Sequence, residues 1–236
     1  MKYSSIWVIV PAAGVGKRMQ STTPKQYLKL GERTVLDHTL MQLLSHENIA
    51  GVVLGIGAED DYWPDSLWYG HAKVMPFIGG KERSDTVRLG LEYLMQSSHL
   101  SNEFVLVHDA ARPFITHESI NALLANTSSH GCLLAIPAKD TIKESAFDKG
   151  VPSVKRTIDR RLIWQAQTPQ KFVIQALIQA LKNAESSTSE ITDESSAMEL
   201  SGYQPELVEG DASNFKITLP IDLVIANALL SYDASC

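Results

Sequence analysis

The chain has 236 residues, of which 44% are hydrophobic and 20% are charged, and its net charge is −6 at pH 7. This length and composition are typical of a globular α/β protein with a large buried core. The acidic balance argues against a protein that coats nucleic acid, because that class normally carries an excess of basic residues.

The sequence also argues against a membrane or disulfide-stabilised protein. No stretch approaches the roughly 18 consecutive apolar residues of a membrane span, and the chain begins without the cleavage pattern of a signal peptide. Cys132 and Cys236 are two isolated cysteines, one in an apolar predicted strand and one at the end of the chain. We therefore expect a cytoplasmic protein with neither a disulfide nor a zinc framework.

The first predicted element is a buried strand that leads into a loop with two glycines. Residues 6–10 form a short apolar run, and Pro11 ends it because proline has no N–H to donate to a sheet. Gly14 and Gly16 allow the backbone to approach a ligand closely and to point N–H groups at anionic oxygens. Three cations follow these glycines: Lys17, Arg18 and Lys25. A glycine pair alone is often an ordinary turn, but with these cations it favours a polyphosphate ligand.

A dinucleotide-binding Gly-x-Gly-x-x-Gly turn is the main alternative for this loop. Met19 occupies the third glycine position, so the close helix–strand contact of that motif is missing. Asp37 lies near the spacing expected for the ribose-binding acid, but within a predicted helix rather than at the end of a strand. Both features disfavour a nicotinamide-binding site.

Strand-like and helix-like segments then alternate along the chain. Further strands are predicted at residues 52–56, 73–78, 104–107 and 132–136. Helices are predicted at residues 34–44, 86–96, around 120–124, 173–181 and 219–230. The alternation predicts a single Rossmann-like α/β domain, in which helices flank both faces of a mostly parallel, mixed sheet.

Residues 139–161 interrupt this pattern because they are densely charged. They contain a turn signal at residues 148–150 and alternating polarity over residues 154–158. Neither face is apolar enough to pack on the core, so we expect a β-hairpin arm that projects from the domain. A solvated loop explains the pattern equally well.

A second polar run, residues 185–196, is rich in serine and threonine. We expect a loop that ends where a helix begins, with Thr192 or Asp193 as the N-cap residue. Gly202 is expected to end that helix.

Two further polar clusters follow predicted strands, at residues 79–87 and 108–113. In open α/β sheets, ligands bind beyond the carboxyl ends of the strands. Asp109 is suited to Mg²⁺ or a sugar hydroxyl, and the planar fork of Arg112 is suited to phosphate. Taken singly, residues 79–87 are equally well explained as a capped strand–helix connection, and residues 108–113 by an Asp109–Arg112 salt bridge. Together with the opening loop, however, they make three polar clusters at strand ends, which favours a binding site.

The sequence offers no obvious nucleophile–base pair. It lacks Gly-x-Ser-x-Gly, and the chain neighbours His108 and Asp109 point in different directions and are not expected to act as a pair. Phosphoryl-type transfer tolerates this, because positioning and electrostatic stabilisation dominate it. An attacking phosphate monoester, whose second pKa is about 6, needs no general base at pH 7.

Nine motifs spread over residues 8 to about 228 carry a family resemblance. They are Pro11-Ala12-Ala13-Gly14-x-Gly16-x-Arg18-Met19, Pro24-Lys25-Gln26, Gly80-x-x-Arg83-x-Asp85, His108-Asp109-Ala110-Ala111-Arg112-Pro113, Asp140-Thr141, Asp159-Arg160, Thr168-Pro169-Gln170, Thr192-Asp193-Glu194 and Asn214-x-Lys216-x-Thr218. As a set they resemble the 2-C-methyl-D-erythritol 4-phosphate cytidylyltransferase family. The resemblance implies transfer of CMP from CTP to methylerythritol 4-phosphate, with release of pyrophosphate and with Mg²⁺ as cofactor.

The same resemblance implies roles for individual residues. The implied catalytic residues are Arg18, Lys25, Arg160 and Lys216. The implied substrate-binding residues are Pro11, Ala12, Ala13, Gly14, Gly16, Gly80, Thr86, Asp109, Ala110, Arg112, Thr141, Thr168 and Thr192. Asp109 is also the implied metal ligand, and Thr86 replaces a serine that is usual in the family. The arm is implied to hold a homodimer together and to deliver Thr141 and Arg160 into the partner subunit's site.

Three other functions stay open from the sequence. Ribitol 5-phosphate cytidylyltransferases share most of these motifs, although Thr141 and Thr192 favour methylerythritol phosphate by resemblance. A nicotinamide oxidoreductase is disfavoured by Met19. A non-catalytic CTP-binding module is disfavoured because a binder needs fewer cations than the chain retains.

Overall fold

We describe a computed structural model of the chain, which covers residues 5–14, 19, 21–98, 103–148, 150–186 and 191–233. The strands in chain order are β1 (Ile6–Pro11), β2 (Lys29–Leu30), β3 (Arg33–Thr34), β4 (Ile49–Ile56), β5 (Val74–Ile78), β6 (Phe104–Val107), β7 (Cys132–Pro137), β8 (Ile142–Asp148), β9 (Val151–Ile158), β10 (Trp164–Val173) and β11 (Glu206–Glu209). The helices are α1 (Val35–Leu44), α2 (Arg83–Ser98), α3 (His117–Ala125), α4 (Ile174–Glu185), α5 (Glu194–Leu200) and α6 (Pro220–Asp233).

The core of the fold is a mixed seven-stranded sheet in the order β11-β7-β10-β6-β1-β4-β5. β1 pairs in parallel with β4 and β6, β4 with β5, and β7 with β11. β10 runs antiparallel to both of its neighbours, β6 and β7. The sheet confirms the predicted α/β fold class.

Helices cover both faces of this sheet, as predicted. Because side chains alternate along a strand, Val8 and Val10 pack with α1 and α3, whereas Ile9 packs with α2, α4 and α5 on the opposite face. Each of these three side chains is fully buried. This explains the unbroken apolar character of β1, since both of its faces are covered.

The predicted helices all exist, with shifted ends. α1 begins one residue later than predicted because Thr34 is its N-cap and forms a capping box with Asp37. α2 begins three residues earlier, and the side chain of Asp85 accepts a hydrogen bond from the N–H of Glu82 beside its first turn. Asp193, one of the two predicted N-caps, caps α5, and Gly202 follows the helix with a φ of +87°. Among the described residues, none of the helices has the length and apolar character that a membrane span requires.

Residues 139–161 contain a β-hairpin rather than a solvated loop. β8 and β9 pair antiparallel with each other in a sheet of their own, apart from the central sheet. Gly150 adopts a φ of +82° in the turn, where a side chain would be strained, and Lys149 lies outside the described residues. The residues of β9 are exposed except for the last, which matches the polar pattern that predicted a projecting arm.

Candidate active site

Two adjoining cavities lie beyond the carboxyl ends of the central strands. The first has a volume of about 230 Å³ and includes ten of the predicted residues: Pro11, Ala12, Ala13, Gly14, Lys25, Gly80, Thr86, Asp109, Ala110 and Lys216. The second, of about 180 Å³, includes five: Asp109, Arg112, Thr168, Thr192 and Lys216. Asp109 and Lys216 therefore line both cavities, as does Arg83.

Four predicted site residues are not part of these linings. Gly16 and Arg18 lie outside the described residues, as does Lys17. Thr141 and Arg160 are exposed at the base of the arm, and neither lines either cavity of the described chain. Their proposed roles remain predictions.

The opening loop is held in place by Gln26, which has only 3% of its surface exposed. Its carboxamide donates hydrogen bonds to the carbonyl oxygens of Ala12, at 2.6 Å, and Gly14, at 3.1 Å. These bonds fix the loop against the short 3₁₀ turn that carries Lys25. Sequence reasoning gave Gln26 no role, because nothing in a Pro-Lys-Gln triplet distinguishes a buried carboxamide from a solvated one.

The loop after β5 forms the facing wall of the first cavity. A Cβ atom at Gly79 would lie 2.7 Å from the Cβ atom of Ala13, so glycine is what allows the two loops to approach. The hydroxyl of Thr86 accepts a hydrogen bond from the N–H of Gly80 at 3.0 Å and donates one to the carbonyl oxygen of Glu82 at 3.1 Å. Thr86 thus shapes this wall as well as lining the cavity.

Asp109 is the centre of a cluster of charged side chains. Its Oδ1 atom lies 2.9 Å from Nε of Arg83, and its Oδ2 atom lies 2.8 Å from Nζ of Lys216 and 3.5 Å from Nε of Arg112. Burial alone would raise the pKa of Asp109, but the three cations outweigh it and hold that pKa well below its usual range. The carboxylate is therefore ionised, and both of its oxygen atoms are paired with cations of the same chain.

Arg112 is largely buried and joins three segments of the chain. Besides the Asp109 contact, its Nη1 atom donates to the carbonyl oxygen of Asn214 at 2.7 Å and its Nη2 atom to that of Ala166 at 3.5 Å. The predicted Asp109–Arg112 salt bridge is therefore present, and the side chain also lines the second cavity. Arg112 can therefore both form the structural salt bridge and face a ligand in the second cavity, the two roles between which the sequence did not decide.

His108 is a structural residue rather than a base. Its Nε2 atom lies 3.0 Å from the carbonyl oxygen of Arg112, so it carries the proton, and its Nδ1 atom accepts from the hydroxyl of Thr168 at 3.1 Å. The N–H of Asp109 donates to the same hydroxyl at 3.0 Å. Burial lowers the pKa of His108 to about 4, which keeps the ring neutral. Both ring nitrogens therefore have partners other than the carboxylate of Asp109.

Thr192, which lines the second cavity, is the residue immediately before the N-cap of α5. The cap, Asp193, accepts a hydrogen bond from Nε2 of Gln170 at 2.8 Å, and the Oε1 atom of Gln170 accepts from the N–H of Ser195 at 2.9 Å. Gln170 is 1% exposed. Gln170 of strand β10 therefore holds the start of α5 close to Thr168. The sequence of β10 did not indicate this contact, because it is polar and contains a proline.

The chain matches the family model described as IspD, 2-C-methyl-D-erythritol 4-phosphate cytidylyltransferase, over residues 6–232. The chain belongs to this family. A relative of that name from Aliivibrio fischeri is 46% identical over 228 residues, which cover 96% of this chain and 94% of the relative. A second, from Vibrio cholerae, is 45% identical over 230 residues, which cover 97% of each.

Solved structures of cytidylyltransferases from this family share the fold. The crystal structure of a 4-diphosphocytidyl-2C-methyl-D-erythritol synthase superposes with a TM-score of 0.81 at 34% identity, covering 96% of this chain and 99% of the other. The cytidylyltransferase from Francisella tularensis gives a TM-score of 0.79 at 34% identity, covering 95% and 99%.

Family membership decides between the functions that the sequence left open. The chain is a nucleotidyltransferase, and not a nicotinamide oxidoreductase or a non-catalytic module. Asp37 is used in the capping box of α1 and in a 2.7 Å hydrogen bond from the hydroxyl of Ser66, which removes it as a ribose ligand. The ribitol 5-phosphate alternative is not favoured, since the family model and these relatives carry the methylerythritol name.

Proposed function

We propose that this protein transfers CMP from CTP to 2-C-methyl-D-erythritol 4-phosphate, giving 4-diphosphocytidyl-2-C-methyl-D-erythritol and pyrophosphate. The observation that carries the proposal is the junction of the two cavities. The first combines the backbone of the opening loop and Gly80 with the cation of Lys25, which suits a nucleotide triphosphate. The second brings Arg112, Thr168 and Thr192 together beside Asp109 and Asp193, and the arginine and threonine side chains suit a polyol phosphate. Lys216 and Asp109 lie on both, where the two substrates would meet.

In this proposal the triphosphate lies along the opening loop, with the base near Gly80 and Thr86. The phosphate of the acceptor attacks the α-phosphorus of CTP. A P–O bond forms to the acceptor, the bond between the α-phosphorus and the bridging oxygen breaks, and pyrophosphate leaves with that electron pair. Arg18, Lys25 and Lys216 stabilise the negative charge of the pentavalent transition state.

The acceptor phosphate is proposed to bind in the second cavity, close to Arg112 and Lys216. Two of the three cations around Asp109 have further partners, whereas Lys216 is 31% exposed and faces both cavities. The cluster of Asp109, Glu194, Arg83, Arg112 and Lys216 holds three positive and two negative charges. One positive charge in excess supports the binding of an anion at this junction.

Mg²⁺ is proposed to enter bound to the triphosphate. Both carboxylate oxygens of Asp109 are engaged by cations, and no group of three or more potential ligand side chains is found among the described residues. These side chains alone do not fit a resident ion, whereas Mg²⁺ is commonly held by substrate phosphates with one or two carboxylates. Direct ligation by Asp109 therefore stays a prediction, and it requires Asp109 to exchange a cationic partner.

We further propose that the protein is a homodimer whose arms complete the sites, with Thr141 and Arg160 acting in the partner subunit's site. Seven basic and four acidic residues give residues 139–161 a net charge of +3, against −6 for the whole chain. Phe147, Val151 and Val154 on the arm are 75%, 65% and 66% exposed. A basic arm with exposed apolar side chains supports docking on a second, acidic copy.

The outer face of α6 supports the same proposal. Its exposed apolar side chains recur at helical spacing: Ile221, Val224, Ile225, Ala228 and Tyr232. A helix that buries one apolar face in its own subunit and exposes another is typical of a subunit interface. Cys132 is a buried free thiol, which supports a cytoplasmic location for the enzyme.

The decisive experiment measures pyrophosphate release from CTP with methylerythritol 4-phosphate and, separately, with ribitol 5-phosphate. We expect turnover with the first at a kcat/KM far above that with the second. Turnover with ribitol phosphate alone would overturn the proposed acceptor, and no release with either would overturn the reaction.

A further inference from the structure

Glu194 is a buried carboxylate that lines neither substrate cavity. It is the first residue of α5, and its side chain is 1% exposed. Its Oε1 and Oε2 atoms lie 2.6 Å and 3.0 Å from Nη1 and Nη2 of Arg83, so the two side chains form a bidentate pair.

Arg83 links this carboxylate to Asp109. Its remaining nitrogen, Nε, donates to Oδ1 of Asp109 at 2.9 Å. The guanidinium is thus shared between two carboxylates, and all three of its nitrogens are engaged. A cation held in this way acts as a connector between Glu194 and Asp109 rather than as a ligand for phosphate.

The two walls of the site depend on this connector to different degrees. The loop after β5, which forms the wall of the first cavity and is called the nucleotide wall below, has hydrogen bonds of its own, from the N–H of Gly80 to Thr86 and from the hydroxyl of Thr86 to Glu82. Thr192, by contrast, is placed by the first turn of α5, to which its own N–H bonds through the hydroxyl of Ser196 at 3.0 Å. A shift of α5 would therefore move Thr192 while the nucleotide wall stayed in place.

We infer that Glu194 is a positioning residue, which acts through Arg83 to fix Thr192 relative to Asp109 and so shapes the acceptor side of the site. The inference rests on the proposed function, because it assigns the second cavity to the polyol phosphate. It predicts that loss of the pair weakens acceptor binding far more than CTP binding.

The test compares Glu194→Gln with Glu185→Gln. Glu185 also pairs with an arginine, Arg88, at 2.6 Å, but on the surface and away from both cavities. For Glu194→Gln we expect the KM for methylerythritol 4-phosphate to rise by about 10- to 100-fold and the KM for CTP to change by less than about threefold. Glu185→Gln is expected to leave both constants unchanged.

A second variant guards against a folding defect. Glu194→Asp keeps the charge but is one methylene shorter and cannot form the same bidentate pair, so the same imbalance between the two KM values is expected. Circular dichroism and thermal melting establish that each variant is folded. A merely structural role would lower the amount of active enzyme and leave both KM values at the wild-type level, and equal values would overturn the inference.

A double-mutant cycle tests the connection through Arg83. In an Arg83→Lys background, Glu194→Gln should raise the KM for the acceptor much less than it does in the wild-type background. Fully additive effects would overturn the role of Arg83. A wild-type enzyme without turnover would overturn the proposed function and this inference together, whereas an active wild type with proportional KM changes in Glu194→Gln would overturn the inference alone.

Discussion

Asp109 and Lys25 both line the first cavity, but their surroundings differ. Asp109 is surrounded by Arg83, Arg112 and Lys216 and organises the floor of the site. Lys25 lies on a short 3₁₀ turn beside the opening loop, at the wall where the triphosphate is proposed to bind. A cation on that wall acts most strongly on charge that develops during the reaction.

Lys25→Ala is therefore expected to lower kcat by about 100- to 1,000-fold, with a smaller change in the KM for CTP. Steady-state kinetics with saturating acceptor measure both constants. Lys29→Ala is the matched control, because Lys29 is exposed, lines neither cavity and donates through its Nζ atom to a nearby surface carbonyl, that of Glu32, at 3.3 Å. A kcat that stays at the wild-type value would rule out the transition-state role.

His108 makes the stability of the protein depend on pH. Burial lowers its pKa to about 4 in the folded state, whereas an unfolded histidine titrates at about 6.5. Between these values the unfolded state binds more protons than the folded state, so the free energy of unfolding falls as the pH falls from about 6.5 to about 4. The full difference between the two pKa values corresponds to about 3.4 kcal/mol, and between pH 7 and pH 4.5 the expected loss is about 2 kcal/mol.

Chemical denaturation at pH 7 and at pH 4.5 measures this loss. His108→Gln, which keeps an N–H donor near the carbonyl of Arg112, should lose less stability between the two pH values than the wild type does. The exposed His71, replaced by glutamine, serves as the control and should keep the wild-type dependence. An unchanged loss in His108→Gln would contradict the assignment.

Among the elements, α3 depends on a side chain from the neighbouring strand β10. Lys171 is 5% exposed, and its Nζ atom donates to the carbonyl oxygens of Leu123, Leu124 and Asn126 at 3.0, 3.4 and 2.6 Å. The last carbonyls of a helix have no partners within the helix, and a cation there also interacts favourably with the helix dipole. Lys171 therefore joins the end of α3 to the sheet.

Lys171→Met should lower the free energy of unfolding by about 2–4 kcal/mol, because buried carbonyl groups lose their partner. Lys182→Met is the control, since Lys182 on α4 is half-exposed and makes a surface pair with Glu92 at 2.9 Å. That pair is worth less than about 1 kcal/mol. Equal losses in urea denaturation would show that Lys171 is not a cap.

At the scale of the whole molecule, one described chain holds most of the proposed site but not its arm residues. Thr141 and Arg160 lie at the base of the exposed hairpin and line neither of the two cavities of the same chain. If they act in trans, each active site of the dimer combines Lys25 and Lys216 from one subunit with Arg160 from the other. Defects on opposite sides of this division should then complement each other.

Mixing inactive Lys25→Ala and Arg160→Ala subunits should restore activity, since a mixed dimer has one intact site and one doubly defective site. Complete random mixing gives about a quarter of the wild-type activity. Lys25→Ala mixed with Lys216→Ala is the control, because each mixed dimer then carries one defect in every site and no activity returns. Absence of recovery with the first pair, despite mixing proven by differential tagging, would rule out shared sites.

Local sequence predicted the elements whose apolar pattern is strong. β1 and β4 are apolar strands covered on both faces, and Asp193, one of the two predicted caps, marks the start of α5. β10 was missed because its glutamines, threonine and proline serve the site and the neighbouring helices, so its side chains do not alternate by polarity. β11 is a short edge strand with mostly exposed residues, which leaves little apolar signal.

The sequence by itself determined the α/β class and the loops that meet at the strand ends, because each of these follows from a local pattern of apolar, charged and turn-forming residues. For residues 139–161 the sequence left a projecting hairpin and a solvated loop equally open, and the pairing of β8 with β9 decided for the hairpin. Only the tertiary structure decided which polar side chains meet. Asp109 follows Arg83 by 26 positions, and Glu194 follows Asp109 by 85. No local sequence pattern indicates that the guanidinium of Arg83 joins these two carboxylates. Gln26 and Gln170 likewise acquire their roles only because the fold buries them. A buried carboxamide without partners would destabilise the protein, and both of these side chains are hydrogen-bonded.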